Sequence, residues 1–306
     1  MIDLNCKTYL ILFLFFTPLI AFNQVNSTYT LKILGVVQDG GLPHLGSDRI
    51  CCEDFEQNRY VTSIMLINNE TNESYLFDAS PDINKQLNFM GKGIKKNLKG
   101  IFLTHAHIGH YTGLMYFGRE ALNSKLMKVY AMPRMKKFLE QNGPWSQLVS
   151  LENISITELN NKSNIVIDSN VTVQPIEVPH RAEFSETVGY KIYGPNKTAL
   201  FIPDIDKWYL WEKSIVDEIE NIDYVLIDAT FYDSKEVNYR DLSEIPHPFV
   251  VESIELFDSM KYEERNKIFF IHLNHTNPLL DKESDQYKFV KEKGYNVAEE
   301  GLNLKL

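Results

Sequence analysis

A chain of 306 residues, 44% hydrophobic and 24% charged, has the make-up of an ordinary globular protein with one sizeable core. Its net charge of −10 disfavours nucleic acid and anionic membrane surfaces, which repel an acidic field, and leaves a small-molecule substrate as the expected partner. Three cysteines, two of them adjacent (Cys51 and Cys52), exclude a disulfide framework, because neighbouring cysteines strain the ring they would close. Packing is the expected role for that pair.

In chain order, Lys7 is followed by the apolar run "YLILFLFFTPLIA", which is short for a bilayer and ends in a small residue before a polar stretch. Residues 1–21 are read as a secretory signal, with an uncleaved anchor as the alternative. The folded domain is then 29–306, placed outside the cytoplasm, and the mature chain has no stable membrane span. "TLKILGVV" reads as a strand broken at "QDGG", and "VTSIMLINNETNESYLFDAS" as a hairpin around a polar turn. "PDINKQLNFMGK" has the Pro and Gly punctuation of a short helix. "GIFLT" is a buried strand that runs straight into "HAHIGH", and "YTGLMYFGREALN" has helical spacing.

The second half alternates in the same way. "KVYAM", "ISITEL", "VTVQPIEV", "IDYVLIDAT" and "KIFFIH" read as strands, and "TVGYKIYGPNKTALFIPD" as a hairpin. "PRMKKFLEQN", "PFVVESIELFDSM" and "DKESDQYKFVKEKG" read as helices, with "GLNLKL" as a closing strand. No internal repeat or long linker interrupts the order. Two sheets with helices outside, in one α/β domain, are expected.

The eight histidines are not scattered over this map. His105, His107, His180 and His272 all follow the ends of predicted strands, where loops are rigidly held and can converge on one point. His105 and His107 are two apart in extended chain, so their rings point the same way. His110 comes as a helix begins and can reach the same volume. Imidazole is neutral near pH 7 and ligates zinc or iron. Asp204, just past another strand end, offers an oxygen ligand. Asp228 has similar placement and is read as a carboxylate behind the ligands.

In these residues the sequence resembles the metallo-β-lactamase fold hydrolases. The matching motifs are "THAHIGH", "VPHRAEFSETVGY", "FIPD" and "FIHLNHTNP", with "VVQDGGLPH", "LFDASPDINKQL" and "NVAEEGLNLKL" extending the likeness over almost the whole chain after residue 28. Within the superfamily the likeness is to the pyrroloquinoline quinone synthesis protein B group and its phosphodiesterase relatives. The resemblance implies a four-layer αββα sandwich with a metal site at one edge of both sheets. It implies one metal on His105, His107 and His180, and a second on His110 and His272, with Asp204 bridging. It also implies that Asp78 orients the histidine loop, where its own sequence context also suits a turn before Ser-Pro.

The family pattern has aspartate where this chain has Gly109. The second site then keeps at most His110, Asp204 and His272, so zinc is expected at one tight site with the other weak or absent. Iron and manganese are the alternative metals. Gly109 could equally serve the shape of the loop, if that position needs positive φ. Such a site would activate water against an ester, a lactone or a phosphodiester. Asp204 would orient the water, and His247 would donate a proton to the leaving group or merely enter a helix. His275 and His44 are expected to face substrate, and Trp145 either lines the pocket or is buried. A non-haem iron redox enzyme and a non-catalytic binding protein are the competing classes.

Overall fold

The computed structural model describes residues 28–48, 52, 59–91, 93, 97–237 and 241–306; the expected signal at 1–21 and Cys51 lie outside them. Among the described residues, fourteen strands form two seven-stranded sheets. The first contains β1 (Tyr29–Gly35), β2 (Ser63–Asn68), β3 (Ser74–Phe77), β4 (Leu98–Phe102), β5 (Met127–Ala131), β6 (Ile154–Glu158) and β14 (Asn303–Lys305). Their order is β14-β1-β2-β3-β4-β5-β6. The second contains β7 (Ile165–Val166), β8 (Thr172–Glu177), β9 (Val188–Tyr193), β10 (Thr198–Ile202), β11 (Tyr224–Asp228), β12 (Ile268–Ile271) and β13 (Asn296–Val297), in the order β13-β12-β11-β10-β9-β8-β7.

Alternation along each strand builds the layers, since successive side chains point to opposite faces. In β1 and β2, Leu31, Ile33, Ile64 and Leu66 face the second sheet, whose Val173, Ile192, Phe201 and Leu226 meet them in the central core. Met65, Leu76, Ile101 and Val129 point the other way, under the helices Pro133–Gln141 and Trp145–Ser150. Leu200, Ile202, Val225 and Phe270 are the outward set of the second sheet and meet the helices Ile215–Ile219 and Val250–Leu256. Three apolar interfaces between four layers give the αββα sandwich as a single domain. No helix among the described residues is long and apolar enough to cross a membrane.

One expected helix is reshaped. "YTGLMYFGREALN" forms a short α-helix at Ile108–Tyr111, a 3-10 helix at Thr112–Phe117, and then turns. Gly113 explains the tight winding: it packs so closely on the chain after β3 that an added Cβ would lie 2.2 Å from the Ser80 carbonyl oxygen. The helical spacing of Leu114 and Phe117 survives, and both are buried.

Candidate metal centre

Strand direction decides where the histidines go. β3 and β4 are parallel, β1 reaches the same sense through two antiparallel pairings, and β10, β11 and β12 are mutually parallel. Their C-terminal ends therefore open on one edge, where ligands gather in mixed α/β sheets. The sheets are stitched together there. Val37 bridges Leu273, with Gln38 N–H donating to the Leu273 carbonyl at 2.9 Å and Leu273 N–H to the Val36 carbonyl at 2.8 Å. Val188 N–H donates to the Thr104 carbonyl at 3.1 Å. Beneath this seam Phe102 stacks on Phe77 and Tyr130, with ring centroids 5.0 and 4.3 Å away, and the Tyr190 hydroxyl donates to the Leu103 carbonyl. The histidine loop thus leaves a rigid aromatic floor.

The imidazoles are oriented from behind. Asp78, fully buried at the end of β3 with φ 67°, accepts from Thr104 N–H at 2.8 Å and Thr104 Oγ1 at 2.9 Å, and lies 2.7 Å from His110 Nδ1. Because the Thr104 hydroxyl spends its proton on Asp78, it accepts from His105 Nδ1, 3.0 Å away. The same relay recurs across the seam. Thr230 Oγ1 donates to Asp228 Oδ1 at 2.7 Å and stands 3.0 Å from His272 Nδ1. His180 Nδ1 lies 3.0 Å from Asp206 Oδ1. A proton held on Nδ1 leaves the Nε2 lone pair facing inward, the form in which histidine binds metals.

The inward atoms lack hydrogen-bond partners. Nε2 of His105, His107, His110, His180 and His272, together with Asp39 Oδ1 and Asp204 Oδ2, are all buried without one. Those of His110, His272, Asp39 and Asp204 stand within ion-pair distance of one another without hydrogen-bond geometry, and seven such atoms converging on one volume fit a cation. Among the described residues four overlapping trios have ligand-type atoms within 4.8 Å of one another: His105/His107/His180 and Asp39/His110/His272, and two that link these through Asp204, His105/His110/Asp204 and His180/Asp204/His247. Asp204 stands between them: Oδ2 is 3.0 Å from His110 Nε2 and 3.2 Å from His272 Nε2, while Oδ1 is 3.7 Å from His180 Nε2. Sequence reasoning missed Asp39, which reads in "QDGG" as a turn aspartate. It lies 3.1 Å from His110 Nε2 and 3.7 Å from His272 Nε2. Asp39 thus joins the expected His110, Asp204 and His272 around one volume. Gly109 does not have positive φ; it sits in the helix Ile108–Tyr111.

The electrostatics divide along the same line. Burial, reinforced by neighbouring His110, holds His105 well below the usual histidine range, and burial brings His107 down to about 4. Both are neutral at pH 7, the form that could ligate a metal. Burial also opposes charge on His110, but Asp78 and Asp204 outweigh it and raise its pKa well above the ordinary value. A buried imidazole touching three carboxylates calls for positive charge, which its own proton or a metal ion would supply.

The rim is set by the outer residues. His247 Nδ1 lies 2.7 Å from Asp228 Oδ2 and 3.9 Å from Asp204 Oδ1. Burial works against its charged form, yet Asp228 beside it carries the pKa up to about 9. His44 and His275 stack with centroids 4.1 Å apart on the wall of a cavity of about 620 Å³ that opens over His107, His180, Asp204 and His247. Ile108, Tyr111 and Phe184 give that cavity an apolar flank. Trp145 does not line it; its ring packs 4.9 Å behind Tyr111. Cys52 accepts from His44 N–H at 3.2 Å, so the one described cysteine of the pair braces the rim.

Comparison with known proteins agrees with this architecture. Coenzyme PQQ synthesis protein B of Methylococcus capsulatus is 24% identical over 316 residues, covering 90% of this chain and 99% of the relative. The counterpart in Gluconobacter oxydans is 25% identical over 307 residues, covering 90% and 97%. Among solved structures, Zn(2+)-bound PqqB from Methylobacterium extorquens superposes with a TM-score of 0.76 at 21% identity, covering 90% of this chain and all of the other. A diphosphatase of the PhnP family gives a TM-score of 0.64 at 19% identity, covering 90% and 96%. The Beta-lactamase superfamily domain family matches residues 73–273, from the strand that leads into Asp78 to the one that delivers His272. With that match over more than half of its length, the chain belongs to the β-lactamase superfamily.

Proposed function

We propose that this protein is a metal-dependent hydrolase acting on an ester-type bond of a small molecule, with phosphodiesters as the leading class and carboxylic esters and lactones as the others. The observation that carries the reading is the convergence of seven buried ligand-type atoms without hydrogen-bond partners, four of the histidines among them anchored through Nδ1. His105, His107 and His180 would hold one metal, and His110, His272 and Asp39 the other, with Asp204 shared. Zinc suits the nitrogen-rich first set, and the PqqB relative of known structure is zinc-bound.

Divalent metals in such sites supply Lewis acidity and lower the pKa of water. The chain's own residues account for the rest. Asp204, fixed between both histidine groups, accepts from and orients the attacking water. His247, charged through its contact with Asp228, faces the same cavity and delivers its proton to the leaving oxygen. The stacked His44 and His275 and the side chain of Arg181 offer donors to an anionic substrate at the cavity wall. Ile108 and Phe184, 60% and 58% exposed, offer an apolar surface to its organic part. The likeness to a PhnP-family diphosphatase favours attack at phosphorus over attack at a carbonyl carbon, and so the phosphodiester class over the other two. On the reading of residues 1–21 as an export signal, the enzyme works outside the cytoplasm.

The test is a panel of generic phosphodiester, ester and lactone substrates, run on protein recovered from the exported fraction before and after chelation. Turnover of at least one class, lost on chelation and restored by zinc, is the expected result. Activity that survives complete metal removal would overturn the reading, as would dioxygen uptake by an iron-loaded protein inert toward all three classes. Recovery of the full-length chain from the cytoplasm alone would remove the export assignment.

A further inference from the structure

Two positions distant in sequence compete for one volume. The Cβ of any residue at 109 would lie 2.1 Å from Asp39 Oδ1, 2.8 Å from its Cγ and 2.9 Å from its Cα. Real side chains do not approach so closely, and the obstruction includes backbone, so rotation of Asp39 alone cannot relieve it. The backbone of Gly109 is ordinary helix, which any residue could adopt. What the glycine provides is space.

Asp39 fills that space from a fixed position. Its loop is hydrogen-bonded to the strand end that carries His272, through Gln38 and Leu273. The turn that follows closes through Gly41 N–H to the Gln38 carbonyl at 2.8 Å, with Gly41 at φ 71°. Asp39 Oδ1 is buried, without a hydrogen-bond partner, and aimed at His110 Nε2 and His272 Nε2. Asp39 also lies outside the segment matched by the family, 73–273, while Gly109 lies inside it.

We propose that Asp39 is the carboxylate ligand of the second metal, transplanted from the histidine loop to the β1–β2 loop, and that Gly109 is the vacancy that admits it. Positions 39 and 109 form one ligand site with two places to attach the carboxylate, only one of which can be used at a time. The inference rests on the metal-site reading above and replaces the weak or absent second metal expected from Gly109 with one held as fully as the first.

Zinc content by mass spectrometry after dialysis, and cobalt titration followed by its visible absorption, read this out without activity. The unsubstituted protein is expected to hold two metals. Asp39→Asn, nearly the same shape, should keep the His105/His107/His180 metal and weaken the other by at least about 10- to 100-fold, the range lost when mere supporting partners of ligands are removed. Gly109→Asp alone should lower the melting temperature and metal content through the clash. Gly109→Asp combined with Asp39→Gly should recover the second metal relative to either single change, with thermal melts confirming that each variant is folded. Two undiminished metals in folded Asp39→Asn would overturn the transplant while leaving the hydrolase reading intact. A double variant no better than Gly109→Asp would also overturn it. Unsubstituted protein that takes up no metal would sink both together.

Discussion

His247 shows how one residue's role depends on the carboxylate behind it. Its Nδ1 contact with Asp228 at 2.7 Å holds the ring charged and leaves Nε2 as the proton that can be given away. His247→Ala should therefore lower turnover by roughly 10²–10⁴-fold with metal content unchanged. The loss should shrink for substrates with good leaving groups, which need little protonation. Equal losses for good and poor leaving groups, measured as kcat on a graded ester series, would mean that His247 positions substrate instead. At this scale the sequence was informative wherever a side chain followed a strand end: His105, His107, His180, Asp204 and His272 could be picked out because an apolar run announced each one. Asp39 could not. It stands four residues beyond β1, past the recognisable apolar run, and its glycine neighbours make it look like turn chemistry. The one available signal was indirect, a glycine at 109 where a carboxylate was wanted.

At the scale of the element, the histidine loop is held by the chain it crosses. Ala79 N–H donates to the His110 carbonyl and Gly113 N–H to the Ala79 carbonyl, both at 2.8 Å, so the segment from His110 to Gly113 is laced to the end of β3. That lacing requires the backbones to touch, which only glycine at 113 permits. Periodicity in "YTGLMYFG" predicts an α-helix because Leu114 and Phe117 do face the core, but it cannot register a neighbouring strand end that forces tighter winding. Strands were more legible than helices for a related reason. Alternation and short apolar runs belong to the strand itself, whereas the pairing of β14 with β1 joins the two ends of the domain and leaves no local trace. Gly113→Ala should push the loop off Ser80, lowering stability by about 1–3 kcal/mol, the usual cost of overpacking, and shifting His110 with it. A thermal melt together with zinc content checks this. An unchanged melting temperature would show that the loop yields without cost.

The whole molecule has its candidate metal centre on the seam between its two halves. Asp39, His105, His107 and His110 come from the first sheet, and His180, Asp204 and His272 from the second. Each proposed metal would draw ligands from both, so metal binding would brace the edge where the two sheets meet. Without a cation, that edge buries Asp39, Asp78 and Asp204 around His110, an arrangement the packed core must hold together on its own. A ligand that binds only the folded state stabilises it by mass action, about 2.7 kcal/mol at a free concentration 100 times the dissociation constant. For a domain of this size each kcal/mol is worth about 2–4 °C, so zinc at that excess should raise the melting temperature by roughly 5–10 °C over chelated protein. Because the central core runs unbroken from Leu31 in the first sheet to Leu226 in the second, both forms should melt in a single step. Calorimetry of the chelated and zinc-loaded forms decides the matter. If the two melt together, the seam does not depend on metal; if the chelated form melts in two steps, the halves fold separately and the centre is what couples them.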